Sequence, residues 1–395
     1  MLKVFRGLWD GLTRRRGVQS GNPASYPSES AVPVTFSSAM TLSAWWAGLR
    51  LRAETVASLE LLFYDEQGRR VTSGELPELF SGKVNRYQTK VEFFETFMMN
   101  RLVHGNAYAL KQRVGGRLVG LMPLMSAQVE TKLLDDGSVV HAYHHDRGVT
   151  VYSSESIWHS KMFGNGIVGL SPLGHARNSL GIALAAENRV GRIYRNGGKP
   201  TGVLTIDRVL KPEQRAQIKQ EFRDLQEGNE DTLMVLEADL KYSAISMSPT
   251  DIQLLESRRF QIEDIARFLG VPSVLINDTS ATTVWGSGIA EIIMGWYKLN
   301  LRPDLESLEA SMEAHLRAPG DRTRVEFDMD QLLRPDLLTR MQANQAAINS
   351  GQKLINEARA EEGLPPVPGG DVPLINSTMV PISQAGRVER PRGAE

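Results

Sequence analysis

The sequence predicts an α+β protein, and three patterns support this prediction. First, apolar residues recur at helical spacing in long stretches, of which residues 93–102 are the clearest. Second, residues 108–158 contain short β-prone runs separated by turn signals rich in Gly and Asp. Third, two further helical stretches, 171–196 and 251–269, flank a small insert with both strand and helix patterns. We therefore expect a mixed body of helices and strands, with an αβ module inserted between two long helices.

The N-terminal segment has the pattern of a basic amphipathic helix. Its apolar residues from Leu2 to Leu12 share one helical face and are followed by the arginines 14–16. A signal peptide has its charges first and its apolar run second, so the order here argues against one. Contact with a membrane or a partner and a frayed terminus both stay open. Residues 17–34, rich in Ser, Pro and Gly, are expected to be a flexible linker.

The next elements are two helices separated by a hairpin. The first helix is expected from Met40 to Ser58, and residues 61–64 and 69–72 have the pattern of a hairpin. Thr89 is placed to cap the second helix, whose apolar face runs from Phe93 to Leu102. The short strands of residues 108–158 complete this part of the chain.

The helix that begins at Ser171 and Pro172 is rich in small and basic residues. Proline is tolerated in a first turn, where its missing N–H has no intrahelical partner. The small residues permit close approach of another helix, and the basic side chains are Arg177, Arg189, Arg192 and Arg195. The insert that follows predicts strands at 203–206, 233–236 and 242–245 and a polar helix at 212–226, and it is net acidic.

A long polar run follows the helix of residues 251–269. Residues 273–288 are rich in Ser, Thr, Asn and Gly and carry no charge except Asp278. A loop of that length is uncommon in a compact domain unless it is functional or disordered. We infer that the helix delivers a mobile loop.

The remaining pattern is helical, with one returning strand. From Ile289 to Leu316 the apolar residues include Leu299, and Pro303 is expected to kink the helix. A strand is expected at 325–327. Short helices are expected at 335–349 and 354–361, and the tail from Leu364 is expected to be extended or disordered.

Composition excludes several classes of protein. The chain has 395 residues, a formal net charge of −1 and no cysteine. The near-zero charge argues against coating of nucleic acid, which needs a strongly basic surface. The absence of cysteine excludes disulfides, a thiolate nucleophile and a cysteine-based zinc site. No apolar run reaches the roughly 18 residues that span a bilayer.

Two short motifs suggest chemistry, and each has a simpler interpretation. Residues 164–169 match the glycine pattern of dinucleotide-binding folds, but the run before them lacks the apolar character of a buried parallel strand. A glycine-rich hinge is the simpler interpretation. His141, His144 and His145 could ligate a metal, but at most His141 and His145 share a strand face, and solvated strand-end histidines are the simpler interpretation. Residues 197–199 are not a phosphate loop, and no cofactor or metal is expected.

An ordered series of motifs resembles the portal, or head–tail connector, proteins of long-tailed bacteriophages and prophages. The series begins with Leu102, Gly105, Asn106, Ala107 and Tyr108, and continues with Leu121, Pro123 and Leu124, then Gly166, Gly169, Ser171, Pro172 and Leu173. It continues with Gly198, Pro200 and Gly202–Leu204, then Lys241–Tyr242, Ser248, Gln253–Glu256 and Ile265–Pro272. It ends with Gly351, Asn356–Glu357, Arg359, Gly363–Pro366 and Gly369–Asp371.

The resemblance implies a portal-protein fold with named regions. After a flexible segment at 1–34, residues 35–170 would form a wing, to which a strand at 322–332 returns. Residues 171–198 and 249–272 would be stem helices, 199–248 a clip, 273–288 a tunnel loop, 289–321 a long kinked helix of the wing, 333–366 a crown and 367–395 a disordered tail.

The resemblance also implies a function without catalysis. It is that of a homo-oligomeric ring, of twelve subunits in the virion, that conducts double-stranded DNA without sequence specificity at one capsid vertex. The ring would assemble in the host cytoplasm. Its partners would be the large subunit of the terminase packaging motor, the major capsid protein and scaffold, and a head–tail adaptor.

Site residues are expected in three of these regions. Those of the tunnel loop are Asn277, Asp278, Thr279, Ser280, Thr282, Thr283 and Trp285. Those of the stem are Arg177, Arg189, Arg192 and Arg195, and those of the motor-docking clip are Glu227, Glu230 and Asp231. Many relatives have Lys or Arg in the tunnel loop, and this chain has none there, which argues against direct phosphate contact. The alternative functions are a nucleotide-binding enzyme that uses residues 164–169, and an adaptor or scaffold without a channel.

Overall fold

The computed structural model describes residues 19–20, 25–195, 203–206, 212–213, 240–243, 260–277, 287–329, 332 and 337–374. They fall into two units that divide after Asp328. The expected mixture of helices and strands is confirmed. None of the described helices is both long and apolar enough to cross a bilayer.

The described helices and strands occur in runs along the chain, the longest being six successive strands between residues 106 and 161. The helices are α1 (Phe36–Ala39), α2 (Ser43–Ser58), α3 (Glu75–Phe80), α4 (Lys90–His104), α5 (Pro172–His175), α6 (Arg177–Arg195), α7 (260–268), α8 (Ser287–Trp296), α9 (Arg302–Leu316), α10 (Leu337–Asn349) and α11 (Ile355–Glu361). The strands are β1 (Gln19–Ser20), β2 (Leu61–Tyr64), β3 (Asn106–Val114), β4 (Arg117–Leu124), β5 (Val129–Leu133), β6 (Val139–His145), β7 (Gly148–Ser153), β8 (Ile157–Lys161), β9 (Val203–Ile206), β10 (Leu240–Ser243) and β11 (Arg324–Phe327).

All strand pairs of the described residues are antiparallel, and most join consecutive strands. The first unit contains sheets of order β4-β3-β8, β1-β5-β6-β7 and β11-β2, together with the β9–β10 pair. The predicted strand at 203–206 is confirmed. Its partner β10 begins two residues earlier than the sequence predicts. The predicted strand at 233–236 and helix at 212–226 lie outside the described residues, apart from 212–213.

The core of the first unit is an aromatic cluster between α4 and the sheets. Helix α4 begins at Thr89, whose hydroxyl and the Glu92 carboxylate each bond the other's backbone N–H, as the sequence predicts for this cap. The rings of Phe97 and Trp158 stack with centroids 4.3 Å apart. The Trp158 indole N–H donates to Ser311 Oγ of α9 at 2.9 Å, so α9 is held against β8. Ring packing of this kind adds about 0.5–1.5 kcal/mol per pair beyond area burial.

Strand β11 lies between β2 and helix α9. It pairs with one edge of β2, and residues 69–72, the hairpin partner that the sequence predicts, lie along the other edge. A short form of the predicted hairpin is present, with one bridge from Tyr64 to Arg70 and the Val71 N–H donating to Phe63 O at 2.8 Å. On its other edge, the Val325 N–H donates to Glu313 Oε1 and the Phe327 N–H to Glu309 Oε1, both at 2.8 Å. Both edges of β11 are therefore hydrogen-bonded.

Part of the predicted linker at 17–34 is ordered. Gln19–Ser20 pairs with β5, and Tyr26 pairs with Val34. A Cβ on Gly174 would lie 2.8 Å from the Tyr26 ring, and one on Gly181 would lie 2.4 Å from the Ser28 hydroxyl. The small residues of α5 and α6 thus admit this extended segment, where the sequence predicts another helix. Residues 1–18, including the amphipathic pattern, lie outside the described part.

The predicted helix at 171–196 is divided into α5 and α6. Ala176 has φ −81° and ψ 0°, which ends α5 after one turn. The C-terminal part of the chain also departs from expectation, because residues 367–371 are held on α11. Asn356 Oδ1 accepts the Val367 N–H at 2.8 Å, and its amide nitrogen donates to Asp371 Oδ1 at 2.9 Å. Residues 375–395 lie outside the described part.

Candidate functional site

The predicted tunnel loop is bracketed by ordered structure that shortens it at both ends. Ser273–Ile276 form one 3₁₀ turn, and α8 already begins at Ser287. Of the seven predicted site residues in the loop only Asn277 is described, in the left-handed conformation at φ 66°. Asp278, Thr279, Ser280, Thr282, Thr283 and Trp285 lie outside the described residues. We call residues 269–277 together with helix α8 the loop root.

The loop root is held by the backbone carbonyls at the end of α7. Leu269 O accepts a hydrogen bond from Arg52 Nη1 at 2.8 Å, and Gly270 O accepts one from Trp296 Nε1 at 2.8 Å. A guanidinium at the C-terminal end of a helix also complements the negative end of its dipole. Two elements, α2 and α8, therefore fix the point where α7 ends.

Close packing at the loop root depends on two glycines. Gly270 has φ +63°, a conformation that glycine adopts without cost. A Cβ there would lie 2.6 Å from Asn300 Oδ1. A Cβ on Gly48 of α2 would lie 2.6 Å from the Leu269 side chain. Helices α2 and α7 thus approach each other at a glycine, which keeps Arg52 within reach of the last carbonyls of α7.

Arg52 is itself part of a buried ion cluster. Its Nη2 lies 2.7 Å from Asp304 Oδ2, and Arg101 Nη1 bonds the other carboxylate oxygen. Arg101 Nη2 also donates to Ser307 Oγ at 3.2 Å. Burial by itself would raise the pKa of Asp304, but the charges of Arg101 and Arg52 outweigh it and hold the pKa below its ordinary value. The carboxylate therefore stays ionised and joins α2, α4 and α9.

The ion cluster was not predicted, although the sequence contains a signal for it. Arg52 occupies a position on the apolar stripe of α2, between Leu49 and Val56, and all three are buried. An arginine at a stripe position needs a buried partner, because an unpaired buried charge is very costly. The partner, Asp304, lies 252 residues away along the chain, so local sequence patterns could not identify it.

The four arginines predicted for the stem lie on one side of helix α6. At about 100° per residue, positions 177, 189, 192 and 195 fall within an arc of roughly 120°. The buried side chains of Leu180, Ala183, Leu184 and Ala186 lie on the other side, whereas the buried Gly181 lies within the arc of the arginines, where Ser28 packs against it. Arg177 and Arg189 are exposed, and Arg177 Nη1 donates to Gly174 O at 2.9 Å. The side chains of Arg192 and Arg195 lie outside the described part. So do Glu227, Glu230 and Asp231 of the predicted docking surface.

The glycine motif is a packed turn, which argues against the dinucleotide-binding alternative. A Cβ on Gly164 would lie 2.1 Å from Val168 O, and one on Gly169 would lie 2.0 Å from Gly105 O. Asn106 holds the turn, with its Oδ1 accepting the Gly169 N–H at 2.8 Å and its Nδ2 donating to Gly169 O at 2.9 Å. The preceding strand, β8, is antiparallel to its neighbour. These glycines are required by protein packing, and the motif lacks the parallel βαβ unit that would open it to a pyrophosphate.

The three neighbouring histidines do not form a metal site. His141 is buried at 2% exposure, which corrects the expectation that all three are solvated at strand ends. His144 is exposed and lies 3.5 Å from Glu130, and His145 Nε2 lies 2.9 Å from Thr150 Oγ1. Among the described residues, no group of three or more potential ligands could hold a metal ion. Residues 197–199 lie outside the described part.

Comparison with known proteins agrees with the sequence resemblance. The family model for phage portal proteins matches residues 43–363. The chain is 34% identical over 392 residues to the portal protein of Enterobacteria phage HK97, which covers 96% of this chain and 92% of that protein.

Two solved structures share the fold. The crystal structure of an HK97 family phage portal protein from Corynebacterium diphtheriae superposes with a TM-score of 0.57 at 16% identity, covering 79% of this chain and 98% of that one. A chain from the neck of a native gene transfer agent particle, computed with C12 symmetry, superposes with a TM-score of 0.56 at 23% identity, covering 88% and 97%.

Proposed function

Because this chain belongs to the phage portal protein family, we propose that it forms the ring-shaped DNA channel at one vertex of a phage capsid. The observation that carries the proposal is the family match, which extends from α2 to the end of α11. Proteins of this family are structural rather than catalytic. A ring of twelve copies is supported by the C12 symmetry of the related neck particle. A heterologous contact repeated at a constant rotation closes such a ring.

Electron microscopy of the purified chain in negative stain tests this proposal directly. A portal gives rings with a central hole, and class averages then count the subunits. Discs without a hole, or monomers at every concentration tried, would favour an adaptor without a channel. A rise in melting temperature with dinucleotides would instead support the enzyme alternative, because a bound ligand stabilises the folded state.

We propose that the loop root presents the predicted tunnel loop to the channel. The bonds from Arg52 and Trp296 to the end of α7 supply a fixed base for the segment that follows Asn277. The sequence of this segment, polar and with Asp278 as its charge, suits weak contact with any DNA sequence. A channel wall that bound phosphates tightly would retard the DNA, because each neutralised phosphate adds affinity.

The basic arc of α6 is a second proposed functional surface. We propose that Arg189, Arg192 and Arg195 face a neighbouring subunit or DNA, and that Arg192→Glu weakens ring assembly or DNA passage while the subunit stays folded. Rings of normal yield that package DNA normally would contradict this.

The motor is proposed to dock at Glu227, Glu230 and Asp231, where an acidic surface would attract a basic partner. Lysine at all three positions should reduce binding of the terminase large subunit to preformed rings. Unchanged binding would refute this docking site. Capsid protein, scaffold and head–tail adaptor complete the proposed partners in the virion, and assembly is proposed to occur in the host cytoplasm.

A further inference from the structure

A second site lies away from the loop root, in a cavity of about 150 Å³ between β6, β8 and α9. Its wall contains three imidazoles and one ammonium group, from His141, His159, His315 and Lys161. No Asp or Glu is among the described residues that line it. Liquid water occupies about 30 Å³ per molecule, so the space suits one tetrahedral oxyanion with a few waters.

For two of the imidazoles, the hydrogen bonds identify which ring nitrogen carries the proton. His159 Nε2 lies 2.9 Å from Asn106 Oδ1, an oxygen that can only accept, so Nε2 carries the proton. His315 Nδ1 lies 2.9 Å from the carbonyl oxygen of Ser311, so Nδ1 carries the proton there. On each ring the second nitrogen is an acceptor when the ring is neutral and becomes a donor when the ring is protonated.

The other two polar groups also keep donor capacity. Lys161 Nζ donates one of its three N–H bonds to Gly166 O at 2.7 Å. His141 Nδ1 lies 3.0 Å from Thr131 Oγ1, which in turn lies 2.9 Å from the Tyr108 hydroxyl. The wall can therefore present several N–H donors to one small ligand.

The groups nearest the imidazoles are positive or neutral, and the Glu155 carboxylate interacts with one of them, Lys111. Lys161 comes from β8 and Lys111 of β3 lies beside His315, and the neutral hydroxyls include those of Thr131 on β5, Tyr108 on β3 and Tyr152 on β7. Lys111 Nζ donates to His315 O at 2.9 Å.

This surrounding charge disfavours protonation of the empty cavity. Burial, followed by the nearby His315 and Lys161, lowers the pKa of His141 to about 4. Burial, followed by the nearby His141, Lys161 and His315, holds the pKa of His159 well below its ordinary value. In a partly enclosed space without a carboxylate on the wall, an anion would stabilise the Lys161 ammonium and favour protonation of the neutral imidazoles.

We propose that this cavity binds a small free oxyanion of the phosphate or sulfate class, held by the Lys161 ammonium and the three lining imidazoles. A ring must take up a proton before its second nitrogen can donate, so the anion and the proton bind together. The same chemistry occurs in a DNA backbone phosphate, but a cavity of this volume admits a single ion and excludes a duplex. The site does not depend on ring formation, and its test is independent of the portal proposal.

Calorimetric titration of the full chain with sodium sulfate tests the site, at constant ionic strength adjusted with sodium chloride. Sulfate does not titrate between pH 8 and 6, so a pH dependence of its binding belongs to the protein. We expect the affinity to rise as the pH falls, by up to about tenfold per pH unit for each proton taken up. Lys161→Met should weaken binding by roughly tenfold or more, and His315→Gln should reduce the pH dependence.

Two matched variants serve as controls, because sulfate stabilises proteins in general by its exclusion from their surface. Arg113→Gln removes a positive charge from the exposed end of β3, and His144→Gln removes an exposed imidazole from β6. Both should bind sulfate as the unmodified chain does. The proposal is refuted if sulfate gives no saturable heat, if Lys161→Met binds as tightly as Arg113→Gln, or if a short DNA duplex displaces sulfate.

Discussion

Arg101 is 1% exposed, and its charge is balanced at Asp304, which also bonds Arg52. Such a cluster is weak evidence for stability as a whole, because the desolvation of its three charges offsets much of their attraction. The main effect of the ion cluster is to hold side chains in position. It fixes Arg52 in the position from which the guanidinium reaches Leu269 O at 2.8 Å.

Replacement of Arg101 by methionine should therefore strongly destabilise the folded protein. The variant loses the hydrogen bonds from Arg101 to Asp304 and to Ser307 Oγ, and we expect a loss of about 3 kcal/mol in the free energy of unfolding. Urea denaturation followed by circular dichroism measures it. Arg50→Met is the matched control, since Arg50 pairs with Glu54 on the exposed face of α2 and should matter little. Equal stability of the two variants would show that the ion cluster is dispensable.

A second residue-scale prediction compares two glycines with nearly the same backbone. Gly105 and Gly68 have φ of +71° and +76°. A Cβ on Gly105 would lie 2.0 Å from Leu170 O, whereas nothing lies within 4 Å of one on Gly68. Gly68→Ala should cost about 1–2 kcal/mol, which is the cost of the left-handed conformation alone.

Gly105→Ala should cost more than about 4 kcal/mol, because the clash is with backbone that cannot move aside. Thermal unfolding of both variants checks this. Similar melting temperatures would mean that the backbone at residues 169–170 can move to accommodate the added methyl group, and that the packing is looser than the distances indicate.

Sequence reasoning at this scale succeeded where the signal is local. The Thr89 cap needs only a partner three residues on, so it could be predicted. Arg52, Arg101 and His141 could not, since each depends on groups more than five residues away in sequence. The burial of His141 also depends on Tyr108 and His159, whose rings stack at 4.3 Å on a neighbouring sheet.

At the scale of elements, the segment between α8 and α9 departs most from the sequence prediction. Tyr297–Leu301 form a π-helical turn ahead of Pro303, where the sequence predicts a kink. Leu299, expected on the apolar face, is 79% exposed, and Leu301 is 0% exposed in its place. On a regular helix Trp296 and Leu301 would stand about 140° apart. The π turn contains about one extra residue, which brings both to the buried side.

Deletion of Leu299 together with Pro303→Ala should therefore be tolerated. It removes the extra residue and the proline, so that Trp296 and Leu301 become four positions apart on a regular helix. Deletion of Ala310, an exposed residue within α9, should instead rotate Met312 and Leu316 by about 100° away from the core and prevent folding. Soluble yield and melting temperature measure both. If the Leu299 deletion also fails to fold, the π turn has a role beyond spacing.

Element existence was predictable and some element boundaries were not. The strands of residues 106–161 follow turn signals that are local, whereas the partner of β2 arrives from residues 324–327. Strand partners distant in sequence are chosen by packing, which one sequence does not reveal. The break at Ala176 and the order of residues 26–34 are likewise determined by contacts between segments far apart along the chain.

At the scale of the whole molecule, acid should weaken the first unit. His104, His141 and His159 are buried, and burial lowers the pKa of His104 and of His141 to about 4. Between about pH 6.5 and 4 the unfolded state holds protons that the folded state does not. Stability is therefore full above about pH 6.5 and falls as the pH drops, by about 3 kcal/mol for His104 alone.

Urea denaturation in chloride buffers from pH 7 to 4.5 measures this decline. His104→Phe should make the profile shallower, because phenylalanine keeps the contact with the Phe36 ring and cannot be protonated. An unmodified chain whose stability is constant from pH 6.5 to 5 would contradict the prediction.

Deletion of residues 278–283 should separate folding from function. The bonds from Arg52 to Leu269 O and from Trp296 to Gly270 O lie outside the deletion, so a folded, ring-forming protein is expected. Packaging or retention of DNA in filled heads should be impaired if the segment lines the channel. Phage yield with packaged DNA of normal length would refute the tunnel-loop assignment. Loss of folding would place the segment in the core.

The outer edge of β11, whose N–H groups are hydrogen-bonded to glutamates of α9, affects how neighbouring copies of the chain can associate. An open strand edge on a protein held at high local concentration is a template for sheet growth from chain to chain, and such growth has no natural end. Here the carboxylates of Glu309 and Glu313 occupy the N–H groups that an invading strand would need. Neighbouring copies of the chain therefore cannot extend a sheet through the N–H groups of Val325 and Phe327, and any contact at this edge must use side chains.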